Sequence, residues 1–144
     1  MITANADVFI RRPIEYVFAF LTDAINHPRW DSSSVAMVPV QPGPWREGLE
    51  FHEVRRIGLR PTEIRSRIAG YEPGRSMDLE SLAGPPFRGH WQLVAADGVT
   101  RLRWTGELQP AGLMRLFAPL IERQFRRSTA TNFARLQTLL EGGA

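Results

Sequence analysis

Glu53 and Arg55 are the residues of this sequence whose types and spacing best suit acid–base catalysis. Side chains two apart in a strand share a face, so an inward Phe51 brings Glu53 and Arg55 inward and turns His52 outward. A β-bulge in that strand would exchange the two faces. An inward pair of this kind could polarise a ketone or orient an enolate. A structural ion pair or a surface strand is the simpler interpretation, and we favour it.

The remaining ionisable residues form no convincing catalytic set. His27, His52 and His90 show no ligand spacing with one another or with carboxylates, so we predict that the chain binds no metal. His90 precedes Trp91 and should point away from it, toward solvent. The absence of cysteine and lysine excludes thiolate nucleophiles and Schiff-base catalysis. We predict no cofactor, and whether the chain is an enzyme stays open.

Four tryptophans are many for 144 residues. Alternation places Trp91 and Trp104 on the predicted concave face of a sheet, where each packs in the core or borders an aromatic guest. Trp45 lies in a proline-rich loop and is either part of a lid or a packed side chain.

The C-terminal segment has the periodicity of one long helix, to about Glu141. Its apolar side chains fall on one side, which is where we expect the contact with the sheet: Phe117, Leu120, Ile121, Phe125 and Leu139. Gln124 and Ser128 are four apart within this sector and should point together toward the sheet. They either bond neighbouring strands or water, fix the polar end of a ligand, or face solvent. Pro119 predicts a kink, or a short separate turn before the main helix.

The rest of the chain alternates as strands do. We predict strands near 2–10, 35–41, 48–58, 62–72, 75–83, 87–96 and 99–108, with proline- and glycine-rich turns between them. Asp97-Gly98 is the strongest hairpin signal. A short helix starts at Pro13 and runs to about Asp23, and residues 26–31 form a second short helix or turn.

This order predicts one α+β domain over residues 1–144. A seven-stranded antiparallel sheet twists and curls, and the long terminal helix lies in its concave side. The space left between helix and sheet would be an apolar, ligand-sized cavity.

No apolar run reaches the roughly 20 residues that span a bilayer, and no secretory signal is present, so we expect a cytoplasmic protein without integral membrane association. The arginines are scattered, which argues against a nucleic-acid partner.

Six segments match a known family in order and spacing: 10–23 with its proline-started helix, 28–31, 48–51, 68–75, 98–102 and 132–141. On these segments the chain resembles the START-like (SRPBCC) superfamily, in its polyketide cyclase/dehydrase and lipid-transport branch. The resemblance implies the helix-grip fold, as in Bet v 1-like proteins, and puts Trp30 near the mouth of a hydrophobic cavity. Fold alone does not fix function, because the superfamily includes carriers, cyclases and chaperone activators.

Our leading hypothesis is a protein that binds, or transports, an apolar or aromatic small molecule such as a lipid or polyketide. The predicted ligand-binding residues are Trp30, Phe51, Trp91, Trp104, Phe117, Ile121, Gln124 and Ser128. The alternative is an aromatase/cyclase-type enzyme that uses the same cavity, with Glu53 and Arg55 as its weak catalytic candidates. A third interpretation is a protein-interaction module with a filled cavity and an exposed apolar patch. We expect a monomer or homodimer.

Overall fold

A computed structural model describes residues 1–57 and 60–142. The strands are β1 Ile2–Ile10, β2 Ser34–Pro39, β3 Glu50–Ile57, β4 Arg60–Glu72, β5 Ser76–Ala83, β6 Phe87–Ala96 and β7 Val99–Leu108. The α-helices are α1 Ile14–Leu21, α2 His27–Trp30 and α3 Ala118–Glu141, and two 3₁₀-helices cover Ala24–Asn26 and Gly112–Phe117. No helix of the described ranges is long and apolar enough to cross a bilayer.

The seven strands form one antiparallel sheet in the order β1-β7-β6-β5-β4-β3-β2, which confirms the prediction. Consecutive strands from β2 to β7 are hairpin neighbours, and β1 closes the sheet against β7. Asp97 and Gly98 both take positive φ, as the tight turn between β6 and β7 requires. Gly58 and Leu59 of the predicted turn after β3 lie outside the described residues.

The connection between β1 and β2 holds the two predicted short helices. Pro13 caps α1, where its missing N–H costs nothing, and the helix buries Val17 and Leu21. The Asp23 side chain then accepts a hydrogen bond from the Ile25 N–H and starts the 3₁₀ turn that leads into α2. This arrangement carries Trp30, the last residue of α2, into the core.

Pro119 does not kink the terminal helix. It occupies the first turn of α3, where the backbone N–H has no partner inside the helix, so the ring is tolerated. The preceding residues form the separate 3₁₀-helix, as the second of our two alternatives predicts. Side chains fasten α3 along β1: Arg126 Nε donates to the Thr3 carbonyl over 3.1 Å, and Gln137 Nε2 to the Phe9 carbonyl over 2.7 Å.

The predicted inward face of α3 is wrong in its first half. Phe117, Leu120 and Gln124 are exposed, and Ile121 is half-buried. The buried side chains of α3 are instead Thr129, Asn132, Phe133, Leu136 and Leu140. The apolar residues near the start of the helix shifted the predicted sector toward a side that faces solvent. The observed inward face of α3 is therefore rotated from the predicted one by about one residue, or roughly 100°.

Candidate functional site

Aromatic rings from three elements meet between α3 and the inner face of the sheet. Trp91 and Trp104 stand opposite each other in the β6–β7 register. Phe133 of α3 packs on both, with ring centroids 5.5 and 5.4 Å away, and Trp30 of α2 lies 5.5 Å from Trp91 and from Phe133. All four side chains are buried. They form a continuous aromatic cluster at the centre of the molecule.

Two glycines in neighbouring strands leave the inner face of the sheet without side chains beneath one of these rings. Gly89 and Gly106 are register partners in β6 and β7, and both are buried. The Trp104 indole lies across them: a Cβ at Gly106 would come within 2.2 Å of Trp104 Cη2, and one at Gly89 within 3.2 Å of its Nε1. Phe87 and Phe125 border the same indole with centroids 6.3 and 6.1 Å away. The two glycines therefore make a shallow recess that a flat ring fits.

A chain of charged side chains runs beside the aromatic cluster. Of the two orientations that the sequence left open for this strand, the structure has the one in which Phe51 and Glu53 are buried and His52 is exposed. Ser66 Oγ donates to Glu53 Oε2 over 2.6 Å, and Arg55 Nη1 lies 3.5 Å from Glu53 Oε1. Both carboxylate oxygens of Glu53 are thus engaged by partners on β3 and β4.

The guanidinium of Arg55 continues this chain to α2 and α3. Its Nη2 donates to Asp31 Oδ2 over 3.0 Å, and His27 Nε2 lies 3.2 Å from the same oxygen. Asn132 Nδ2 donates to Asp31 Oδ1 over 3.2 Å, and Asn132 Oδ1 accepts from the Ser32 N–H over 3.1 Å. Asp31 therefore joins α2, the sheet and the terminal helix in one buried polar network.

This network keeps Asp31 and Arg55 charged. Burial alone would raise the pKa of Asp31, but the Arg55 guanidinium, His27 and the Ser33 N–H lower it well below its ordinary value. Burial would lower the pKa of Arg55, and the carboxylates of Asp31 and Glu53 outweigh this and raise it. A carboxylate held so firmly in its ionised form is a poor general base near neutral pH, so Asp31 is suited to positioning Arg55.

The predicted ligand-binding residues do not all come together. Trp30, Trp91 and Trp104 share the aromatic cluster. Phe51 is fully buried at the other end of the core, where its ring lies 4.8 Å from that of Trp45. Trp45 is therefore a packed side chain and not part of a lid.

The α3 residues of the predicted site lie nearer to solvent. Phe117 is exposed, and Ile121 and Ser128 are half-buried. Gln124 does contact Ser128, as its Nε2 donates to Ser128 Oγ over 3.2 Å, but Gln124 is exposed. The prediction that this pair points toward the sheet is therefore wrong for Gln124, because the helix face is rotated as described above.

Sequence reasoning missed the central position of Asp31 and its contact with Asn132. The local signal was available, because His27 and Asp31 are four apart across a one-turn helix. The partners of Asp31 on β3 and α3 are 24 and 101 residues away, and no local pattern reveals such a pairing. His90 faces solvent as predicted and pairs with Asp78 on the outer face of the sheet.

Two pockets open at the surface, and the side chains of Trp30, Trp91, Trp104 and Phe133 line neither of them. One, of about 360 Å³, includes the outward side chains of Asp78, Glu80, Arg88 and His90. The other, of about 350 Å³, lies between the first 3₁₀-helix, β2 and the loop at Trp45. Within residues 1–57 and 60–142, no group of three or more His, Asp or Glu side chains is arranged to hold a metal ion. The cavity between α3 and the sheet stays a prediction, because its centre is occupied by rings in contact.

Comparisons with known proteins agree with this architecture. The sequence model of the family described as "Polyketide cyclase / dehydrase and lipid transport" matches residues 1–141. A comparison with curated protein sequences finds no match.

Three solved structures share the fold at low sequence identity. The protein TTHA0849 from Thermus thermophilus has a TM-score of 0.82 at 12% identity, covering 99% of both chains. A START superfamily protein from Mycobacterium smegmatis has a TM-score of 0.80 at 8% identity, covering 100% of both chains. The Zhui aromatase/cyclase from Streptomyces sp. R1128 has a TM-score of 0.79 at 14% identity, covering 96% of this chain and 93% of that one. The predicted helix-grip fold is confirmed.

Proposed function

Because this chain belongs to the polyketide cyclase/dehydrase and lipid transport family of the START-like superfamily, we propose that it binds an apolar or aromatic small molecule between α3 and the inner face of the sheet. The observation that carries the proposal is the recess at Gly89 and Gly106. These two residues have no side chains, and the Trp104 indole covers them. Binding sites for small molecules are concave, mostly apolar and lined by aromatic side chains.

The guest takes the position that Trp104 occupies in the structure. The Trp104 indole lies against both glycines and packs on Phe133, which supports the fit of a planar ring of this size in the same place. Phe87 and Phe125 provide two further aromatic walls around the same place. Offset and edge-to-face contacts with such rings stabilise an aromatic guest by about 0.5–1.5 kcal/mol per pair beyond the burial of its area.

Titration with the fluorescent probes 1-aminoanthracene and cis-parinaric acid tests the proposal. We expect saturable binding with energy transfer from tryptophan, because Trp91 and Trp104 border the site. Gly89→Val should weaken binding at least tenfold, since its side chain would fill the recess in which the ring of the guest would lie. Gln92→Val, on the outer face of the same strand, is the matched control and should bind as the wild type does.

Two results would overturn this proposal. One is the absence of saturable binding of either probe to the wild-type protein. The other is equal binding by wild type and Gly89→Val, with both variants folded by circular dichroism, because the guest would then lie elsewhere.

The second candidate function is cyclase-type chemistry, favoured by the inward pair of Glu53 and Arg55. The described contacts of Arg55 use its two Nη groups, and a guanidinium carries five N–H donors. A remaining N–H could donate to a carbonyl oxygen of the guest while Glu53 accepts a proton from the adjacent carbon. The electrons of that C–H bond would form an enolate, with its oxygen held by Arg55.

Deuterium exchange at the central carbon of 1-phenyl-1,3-butanedione, followed by NMR, tests this second function. The cyclase hypothesis predicts faster exchange with wild-type protein than in buffer, and a loss of that increase in Glu53→Gln. Glu50→Gln, on the same strand but paired with Arg65 nearer the surface, is the control and should keep the wild-type rate. Exchange no faster than in buffer, with binding intact, would leave ligand binding as the function.

A further inference from the structure

The chain from Leu113 to Leu120 presents large apolar side chains to solvent. Leu113, Leu116, Phe117 and Leu120 are 80%, 75%, 57% and 63% exposed. We refer to these four residues as the apolar tip. Single exposed apolar residues are common on protein surfaces, whereas a contiguous group of four indicates a surface that meets an apolar partner.

The apolar tip is one face of a helical segment. Its members are spaced three, one and three residues apart, which places them on one side of the helical path through Gly112–Phe117 and the start of α3. Met114 and Ala118, which lie between them, and Ile121, which follows Leu120, are half-buried and form the side that meets the rest of the protein. The fold therefore already covers one side of this segment and leaves the apolar tip uncovered.

Arginines border the apolar tip on the side of α3. Arg123 and Arg127 lie on the same side of the helix as Leu120 and are exposed. At 1.5 Å per residue, Arg127 lies about 10 Å along the axis from Leu120. Residues 112–128 contain four arginines and one acidic residue, Glu122, which pairs with Arg126. The surface thus changes from apolar to basic over about 10 Å.

A second loop reaches the same end of the molecule. Gln109, just before the 3₁₀-helix, donates its backbone N–H to the Pro86 carbonyl over 3.0 Å. This contact brings the turn between β5 and β6 alongside the segment that carries the apolar tip. Leu82, at the end of β5, adds another exposed apolar side chain beside that turn.

We propose that this end of the protein docks on the surface of an anionic phospholipid bilayer. The apolar tip enters the boundary between headgroups and acyl chains, a layer about 5–10 Å deep, and Arg123 and Arg127 then lie level with the phosphates. A bilayer accepts apolar side chains without a complementary shape. A second copy of the chain would bring the same arginines, and their repulsion disfavours a dimer through this surface. The proposal does not depend on what the site at Trp104 binds.

Cosedimentation with vesicles tests the docking surface. The vesicles are equimolar phosphatidylglycerol and phosphatidylcholine, with phosphatidylcholine alone as the neutral comparison. We expect binding at least tenfold tighter to the anionic vesicles. The double variant Arg123→Gln, Arg127→Gln should lose affinity by about 30-fold, from the usual gain of each basic residue near an anionic surface.

Serine at all four positions of the apolar tip should lower the affinity for the anionic vesicles by roughly 100-fold or more. These residues are exposed, so the variant should fold as the wild type does. Ile25→Ser, at another exposed apolar residue, is the matched control and should bind normally.

Failure of the wild-type protein to sediment with the anionic vesicles would overturn the proposal. Equal affinity for the neutral vesicles would overturn it as well, because the arginines would then have no role. Concentration-dependent dimerisation that the serine variant abolishes, without vesicle binding, would assign the surface to a second copy.

Discussion

Replacing Asp31 by asparagine removes one negative charge from the centre of the buried network and changes little in shape. Among the described residues, Arg55 would keep Glu53 as its carboxylate partner, and the contact of residue 31 with His27 would no longer involve a carboxylate. Removing one partner of a fully buried pair costs about 3–5 kcal/mol. The Arg55 side chain is 27% exposed and can regain some hydration, so we expect Asp31→Asn to lower the free energy of unfolding at pH 7 by about 2–3 kcal/mol.

The pH dependence of this loss identifies its cause. The pKa of Asp31 is lowered in the folded protein, so its charge stabilises the fold above the unfolded-state pKa of about 3.9 and less as the pH falls below that value. At pH 3 the unfolded chain has largely taken up the proton while folded Asp31 has not. The difference between wild type and variant should therefore shrink by about 1 kcal/mol between pH 7 and pH 3.

Urea denaturation of both proteins at pH 7 and pH 3, followed by circular dichroism, measures these differences. Asp97→Asn is the matched control, because Asp97 is exposed in a turn whose positive φ asparagine tolerates; it should change stability by less than about 0.5 kcal/mol. A loss below about 1 kcal/mol at pH 7, or a difference that does not shrink at pH 3, would refute the assignment of Asp31 as the charged centre of the network.

Three further substitutions test the site. Gly106→Ala should displace the Trp104 indole, because the new methyl group overlaps the ring, and should lower the free energy of unfolding by about 1–3 kcal/mol. The tryptophan emission spectrum should change, and an unchanged spectrum would contradict the overlap of this methyl group with the indole. Ser66→Ala should cost about 1–3 kcal/mol in urea denaturation, because it leaves a buried oxygen of Glu53 without its donor; a neutral result would mean that water replaces the hydroxyl. Asn132→Ala should cost a similar amount, because the Asp31 carboxylate and a backbone N–H both lose a partner, and a cost below about 0.5 kcal/mol would contradict that role.

The sheet could be predicted from the sequence because each strand alternates and the turns between strands are marked by glycine, proline or Asp-Gly. The same alternation placed Trp91 and Trp104 on the inner face, whereas it left open which face of β3 carries Glu53. These are local consequences of strand geometry, in which successive side chains point to opposite faces.

The part of the site on α3 could not be predicted in the same way. A helix face is assigned by its apolar residues, and here the large apolar side chains of Leu113, Leu116, Phe117 and Leu120 face solvent. The true inner face includes the polar Thr129, whose hydroxyl donates to the Phe125 carbonyl of the same helix, and Asn132, whose partner lies elsewhere in the chain. Asn132 bonds to Asp31 only because the fold brings α2 against α3, and that proximity is a property of the tertiary structure.

A ¹H–¹⁵N correlation spectrum recorded during titration with 1-aminoanthracene tests the central claim most directly. The chain has four tryptophans and hence four indole N–H signals. Binding in the recess at Gly89 and Gly106 predicts large shifts for Trp91 and Trp104, a smaller one for Trp30, and none for Trp45, which packs on Phe51 at the other end of the core. Saturable binding that moves only the Trp45 signal, or none of the four, would contradict the account.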